Sequence, residues 1–464
     1  MRLKNLITAS IGGLLLANFP VWAADDSGTN STTETEIQAL KQEIQALDQK
    51  VEALQGRQVA DQKTATAAAK KQPLISLGQD GVTLSSPDTN FVIGLHGLVQ
   101  LDSRTFFADH NIANSGFLLR RARPIITGTV FHDYDFNFTP EFGGNTVQIL
   151  DAYINYHPWT ELQLEGGKFK PPVGLEALQT EQYTLFNERS LATDLVPYRD
   201  IGAELHGDLF GGRVSYAGGI FDGAPDYNTT TTNTDYDNDK AFEGRLFFQP
   251  WKTTDVRFLQ GLGFGLGGSY ESDRAATNTA TGLTPGFTTD GQQKFFTYSS
   301  GVYAKGTHWR LSPQGYYYWG PLGLMGEYVI SDQVVSKGSS SADLHNTAWE
   351  VSGSWVLTGE DASYNGVIPN HPFSLHDWQW GAWQIAARYA QLDVDKDAFP
   401  TFASSASSAQ SAHAWSVGLN WYLNRNIRFN TSFSRTTFFG YTGGAPAVPA
   451  QPEECFFTRL QLAF

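Results

Sequence analysis

From Phe91 to Phe464 the chain runs in a two-residue rhythm. Phe91, Ile93, Leu95, Val99 and Leu101 share one parity, while His96, Gln100, Asp102 and Arg104 share the other. Ala122, Ile126 and Val130 oppose Arg121, Arg123, Thr127 and Thr129. Leu150, Ala152, Ile154 and Tyr156 oppose Asp151, Tyr153 and Asn155, and Trp415, Val417, Leu419 and Trp421 oppose Ser416, Gly418, Asn420 and Tyr422. The final segment repeats the pattern: Phe456, Thr458, Leu460, Leu462 and Phe464 against Phe457, Arg459, Gln461 and Ala463. Successive strand residues point to opposite faces, so each segment presents one apolar and one polar face. A soluble sandwich also alternates. Here the apolar face is rich in Trp, Tyr and Phe near strand ends, as lipid-facing girdles are, and the charged groups fall opposite them.

The N-terminal region gives the alternation a context. Arg2 and Lys4 precede an apolar run from Leu6 to Ala17 and then Val21-Trp22-Ala23. A basic start, a short apolar core and a small-residue cleavage site are the marks of an export signal; residues 1–23 are expected to be one. Nothing later approaches the length of an apolar spanning helix. A bilayer offers no partner for open backbone groups, so strands that cross it must close into a barrel. The low mean hydropathy of −0.30 fits, because alternating strands average a lipid face with a lumen face. The formal charge is −15, and removing Arg2 and Lys4 leaves 30 basic against 47 acidic residues, −17, which disfavours nucleic acid as a partner. The single cysteine, Cys455, excludes an internal disulfide.

Between signal and strands, residues 24–33 are polar and are expected to be disordered. Ile37, Leu40, Ile44, Leu47, Val51 and Leu54 then alternate spacings of three and four, an a/d heptad seam that predicts a short coiled-coil helix over 34–56. Residues 57–90 read as a linker, and 91–464 as the barrel. Sixteen strands fit, an even number as single-chain barrels use and wide enough for an aqueous channel. Ser/Thr/Gly/Asp-rich stretches at 224–240 (with Thr229 to Thr232), 272–293, 336–345, 400–412 and 440–454 read as solvated loops. The connection from about Lys168 to Ile201 differs: Leu178, Tyr183, Leu185, Phe186 and Leu195 make it too apolar to stand in water. It is expected to fold into the lumen and narrow it.

The densest basic cluster is Arg120-Arg121-Ala122-Arg123. Arg121 and Arg123 share the lumen parity, and Arg120 is off-phase unless a bulge or rim accommodates it. A guanidinium donates two parallel hydrogen bonds and stays charged, which suits oxyanions. Lys168, Lys170, Arg189 and Arg199 extend the positive set along the apolar connection, and Glu176, Glu181 and Glu188 oppose it. Two readings stay open: an anion path, or arginines paired with Asp135, Glu141 and Asp151 on neighbouring strands. Arg245, Arg310, Arg388 and Arg428 fall on lumen parities of later strands.

Several blocks carry a resemblance. They are Leu119-Arg120-Arg121-Ala122-Arg123, Gly167-Lys168-Phe169-Lys170-Pro171-Pro172-Val173-Gly174-Leu175-Glu176, Asn187-Glu188-Arg189-Ser190-Leu191 and Arg199-Asp200-Ile201-Gly202. Ser312-Pro313-Gln314-Gly315, Gly326-Glu327-Tyr328, Leu357-Thr358-Gly359-Glu360, Asn420-Trp421-Tyr422 and Arg459-Leu460-Gln461 follow in order. Together they resemble the phosphate-selective porin O and P family. The resemblance implies an all-β, 16-stranded antiparallel transmembrane barrel in the outer membrane of a Gram-negative bacterium. It also implies a homotrimer whose third loop constricts the lumen. By this reading the chain passes small anions such as phosphate, and Arg120, Arg121, Arg123, Asp151, Lys168, Lys170, Arg189 and Arg199 line the path or bind the anion. Two positions depart from the family pattern. Leu98 stands where the phosphate-specific members carry an arginine, and Gln182 where their loop carries a lysine. The expectation is therefore an incomplete phosphate site, or a broadly permeable pore. No cofactor or metal is expected: His96, His132, His157, His206 and His371 sit in no nucleophile or ligand motif. An outer-membrane enzyme and a secreted adhesin are the rival classes.

Overall fold

A computed structural model describes residues 30–69, 72–107, 113–144, 147–226, 237–275, 281–444 and 447–464. Residues 1–23, expected to be an export signal, residues 24–29 and Thr229 to Thr232 lie outside the described residues.

Residues 1–72 and 73–464 form separate units. In the first, one helix runs Asn30–Ala69. It begins inside the stretch expected to be disordered and continues through 57–69, expected to be linker. Ala, Gln and Lys, plentiful there, are good helix formers, so the turn-free composition that resembled a linker extends the helix instead. The heptad seam from Ile37 to Leu54 is exposed along its whole length.

The second unit is the barrel. Its strands are β1 (Phe91–Phe106), β2 (Gly116–Val130), β3 (Tyr134–Glu141), β4 (Gln148–Trp159), β5 (Leu162–Phe169), β6 (Asp200–Leu209), β7 (Val214–Phe221) and β8 (Ala241–Phe248). There follow β9 (Leu262–Arg274), β10 (Tyr303–Trp319), β11 (Leu322–Lys337), β12 (Ser340–Val356), β13 (Ala382–Asp393), β14 (Ser411–Tyr422), β15 (Ile427–Phe439) and β16 (Glu453–Ala463). Each pairs antiparallel with the next, and β16 pairs with β1 (Arg459↔Asp102, Gln461↔Gln100), which closes the ring. The parity holds: Leu460, Leu462 and Phe464 face out, whereas Phe457, Arg459 and Gln461 are buried inside. A hairpin, Leu74–Gly78 with Gly81–Ser85, occupies part of the stretch read as a linker. Its second strand pairs with β1 (Val82↔Leu95) just past the point where β16 ends, so the protruding edge of β1 is covered.

Two loop expectations need correction. Residues 336–345 are not a loop: β11 and β12 run on to Lys337 and Ser340 and turn between them. These strands have 16 and 17 residues, beyond the roughly 9–11 a bilayer requires, and their polar ends stand in water while remaining strand. Residues 272–293 are not simply solvated either. Beyond β9 the chain turns inward, and Phe287, Phe295 and Phe296 are fully buried against Leu191, Ala192 and Leu195. Conversely, the long connection 357–381 at the opposite end, with a Ser374↔Gln379 bridge, was not anticipated.

Candidate functional site: the basic lumen and its inserted loop

Residues 170–199, the loop between β5 and β6, lie within the barrel. The backbone N–H groups of Leu175 and Glu176 donate to Glu327 on β11, and the Gln314 side chain on β10 donates to the Val173 carbonyl. Further along, Arg428 on β15 donates to the Thr184 carbonyl and Gln461 on β16 to that of Gln182. The loop thus crosses from β5 to the far wall. Connection 357–381 grips it from the other side: the Tyr364 hydroxyl donates to the Leu175 carbonyl and the Gln179 side chain to the Tyr364 carbonyl. Gly267 on β9 is where wall and loop meet backbone to backbone. A Cβ there would lie 2.0 Å from the Val173 carbonyl oxygen, an approach only glycine permits. Gly267→Ala should therefore lift the loop from the wall while the lipid face is untouched. Higher single-channel conductance with unchanged barrel assembly in gels is the expected result, and wild-type conductance would refute it.

Most of the positive residues gather around two loop carboxylates. Glu188 is approached by Arg104 (2.9 Å), Arg120 (2.6 Å), Arg121 (3.9 Å) and Arg459 (3.5 Å). Glu181 is approached by Arg123 (2.8 Å), Lys170 (3.8 Å), Arg189 (3.4 Å) and Arg199 (3.8 Å). The Tyr198 hydroxyl donates to Glu181, and its ring lies 4.7–5.6 Å from Arg199, Arg189 and Lys170. Burial acts to raise the proton affinity of both glutamates. The cations outweigh it and hold both carboxyls well below the ordinary range. Asp102, Glu141 and Asp151 join from the wall, on Arg459, Arg123 and Arg199. Among the described residues, the ion pairs of this cluster join eight cations to five carboxylates, an excess of three.

Several sequence expectations meet here. Arg120 reaches the same carboxylate as Arg121 because the ladder slips between them: Gln100 pairs with Arg121, and Leu101 with Leu119. This is a bulge, which turns an off-phase side chain inward. Of the wall partners expected for the arginines, Glu141 and Asp151 are used. Asp135 is not; it meets Thr129 and His157. Lys168, on β5, is half-buried. Leu98 is buried within the wall. Of the later arginines, Arg310 binds Asp226 and Glu271, Arg388 binds Glu176 and Asp290, and Arg245 bonds to Gln314. Arg104, Asp102 and Arg459 were legible as lumen-facing but were not singled out, since only folding brings β16 beside β1.

Elsewhere the wall is acidic. Glu165 pairs with Glu204, Glu204 with Gly219, and Gly219 with Glu243, which sets three carboxylates in one row across β5 to β8. One ligand-capable cluster occurs among the described residues: Glu271, Asp273 and His308 bring donor atoms within 4.8 Å of one another. Arg310 already occupies its centre, bonded to Glu271 and to the His308 ring, and its charge opposes a cation there.

Comparison with known proteins decides the family. The model of "Phosphate-selective porin O and P" matches residues 93–448, most of the chain. The chain belongs to this porin family. A curated relative, Porin O of Pseudomonas aeruginosa, is 22% identical over 430 residues, covering 83% of this chain and 91% of the relative. Among solved structures, the outer membrane channel DcaP of Acinetobacter baumannii matches with TM-score 0.51 at 10% identity, covering 81% of this chain and 98% of that one. An anion-selective porin from Comamonas acidovorans matches with TM-score 0.50 at 12% identity, covering 81% and 100%. The protein is an outer-membrane porin of a Gram-negative bacterium, and this family and barrel indicate a channel rather than an enzyme.

Proposed function

We propose that this porin gives passive diffusion to small hydrophilic solutes and prefers anions, with Arg120, Arg121, Arg123, Asp151, Lys168, Lys170, Arg189 and Arg199 along the path narrowed by the third loop. The observation that carries this is the excess of three positive charges around Glu181 and Glu188. Basic residues at a constriction favour anions by field rather than by fit. The anion-selective Comamonas relative supports it. A reversal-potential measurement across a potassium chloride gradient tests it. Chloride is expected to be the more permeant ion, and cation preference would overturn the reading.

Phosphate passes as one anion among several in this reading. Broad permeability is the second reading, favoured by the carboxylates already seated among the arginines, by Leu98 in the wall and by the acidic row across β5 to β8. The functional unit is proposed to be a homotrimer. The exposed heptad seam supports association between copies, since each leaves its a/d residues uncovered; Ile37, Ile44 and Val51 at a with Leu at d would by themselves favour a dimer, so the trimer is proposed from the barrel's family and not from the seam. The mass of the detergent-extracted porin checks this, and a monomer would refute it.

A further inference from the structure

We propose that a notch in the lumen wall, between the third loop and strands β6 to β8, is a binding site for small zwitterions, with Glu204 holding the ammonium end and Arg245 the carboxylate end. It goes beyond the anion path above: neither Glu181 nor Glu188 lines the notch, and its ligand carries no net charge.

Small residues on β7 make the notch. Ala217 and Gly219 have the parity of the buried Phe221 and face the lumen, opposite to the exposed Ile220. The register sets Gly219 between Glu204 on β6 and Glu243 on β8, and Ala217 between His206 and Arg245. Neighbouring strands lie about 4.8 Å apart, so side chains of β6 and β8 rise about 10 Å from each other over a floor with almost no side chain. Gly219 also makes room for the glutamate itself: a Cβ there would come within 2.7 Å of the Glu204 Cβ. Lys170, Pro172 and Leu178 of the third loop cover the notch, leaving a cavity of about 220 Å³. A single water needs roughly 10–15 Å³ of such space, so a small organic solute fits.

Opposite charges face this cavity, each without a partner of the other sign. Arg245 donates from Nε to Gln314 (2.8 Å) and lies over the Phe247 ring, and it forms no ion pair among the described residues. Glu204 forms neither an ion pair nor a hydrogen bond among them, and its Oε2 is buried. Its surroundings add to the deficit. Glu165 stands directly opposite on β5, and Glu243, across Gly219, has both carboxylate oxygens buried without a partner. The His206 ring turns to Asn155 (3.1 Å) and Glu165 (3.9 Å) instead. A buried carboxylate left unpaired is costly, and an ammonium, with three donors and no acceptor, answers a row of them. The other charged groups on the cavity are taken up: Lys170 donates to the carbonyls of Ala177 and Gln179, and Asp208 accepts from Ser215. One carboxylate and one guanidinium are left open, on opposite sides of β7 and two residues apart in register. A solute with an ammonium at one end and a carboxylate at the other meets both, whereas a simple cation or anion meets one.

The test is block of potassium chloride current through single reconstituted channels by 4-aminobutyrate, with butyrate and butylammonium as controls that carry one charge each. The zwitterion is expected to block the wild type. Glu204→Gln and Arg245→Gln are each expected to raise its half-blocking concentration about tenfold, the loss of one charge-assisted hydrogen bond. Butyrate block should not move in Glu204→Gln, nor butylammonium block in Arg245→Gln, since each control lacks the group that the altered residue holds. Either variant decides the question alone, so failure of one to assemble leaves the other. No block of the wild type by 4-aminobutyrate, or a half-blocking concentration unchanged in a conducting variant, would overturn the site. An equal loss of block for 4-aminobutyrate and butyrate in Glu204→Gln would overturn it as well, since that reports a change in the whole pore. The probe has no net charge, so this outcome is separate from the reversal-potential measurement that decides the anion reading.

Discussion

Excising residues 177–196 and bridging the ends with a short Gly/Ser link is expected to raise single-channel conductance severalfold. The loop crosses the lumen from β5 to β16, and its apolar residues Leu191, Ala192 and Leu195 anchor the inward-folded segment around Phe287 as well. Its removal takes away Glu181 and Glu188 together, so the wall cations Arg104, Arg120, Arg121, Arg123 and Arg459 lose their loop carboxylates while Asp102 and Glu141 stay on the wall. Anion preference should therefore rise with conductance. A channel that widened without gaining anion preference would mean that the wall arginines do not set the field. Unchanged conductance would mean that the loop does not limit flow. The strands carry the closing hydrogen bonds independently of the loop, so the barrel itself should assemble.

The second large effect is expected from Glu181→Ala. Glu181 is buried with Arg123, Lys170, Arg189 and Arg199 around it. Removing one member of a buried charge group leaves its partners uncompensated and costs about 3–5 kcal/mol. The loss should appear as a lower midpoint in urea unfolding and as noisier, larger channel currents. An unchanged midpoint with wild-type currents would refute it. The pH dependence has a definite sign. A carboxyl whose folded value is depressed contributes stability above its unfolded value, near 4.3, and loses it as pH falls through the folded value. For Glu181 that value lies well below the ordinary range. Wild-type currents should hold steady from neutrality down to about pH 5, and failure of the loop should begin only in stronger acid.

How much of this was legible in the sequence depended on the distance over which each signal acts. Parity is local, so β1 and β16 could be read residue by residue, down to Gln100, Asp102 and Arg459 facing in. The apolar character of 170–199 was local too, and it foretold burial. Partnerships were not local. Nothing near Glu188 announces Arg104 or Arg459, which lie 84 and 271 residues away. Composition misled where water reaches ordered backbone. The serines near Gly338 looked like loop because strand ends above a bilayer are as polar as loops are. The threonines of 284–289 looked solvated because surface loops are polar; Thr284 and Thr289 are instead buried, their hydroxyls donating to the Gly286 carbonyl and to Glu453. Arg120 shows the limit of parity itself: one slipped pair in the ladder reverses the face a sequence assigns.

Gly267 carries a consequence beyond the channel record. The resting place of the third loop depends on a missing methyl group in the wall, not only on the loop's own residues. Glycine and alanine codons differ by a single base. If Gly267→Ala lifts the loop as expected, one nucleotide change at this position would alter which small solutes pass, while the loop, its glutamates and the surrounding arginines stayed letter for letter the same.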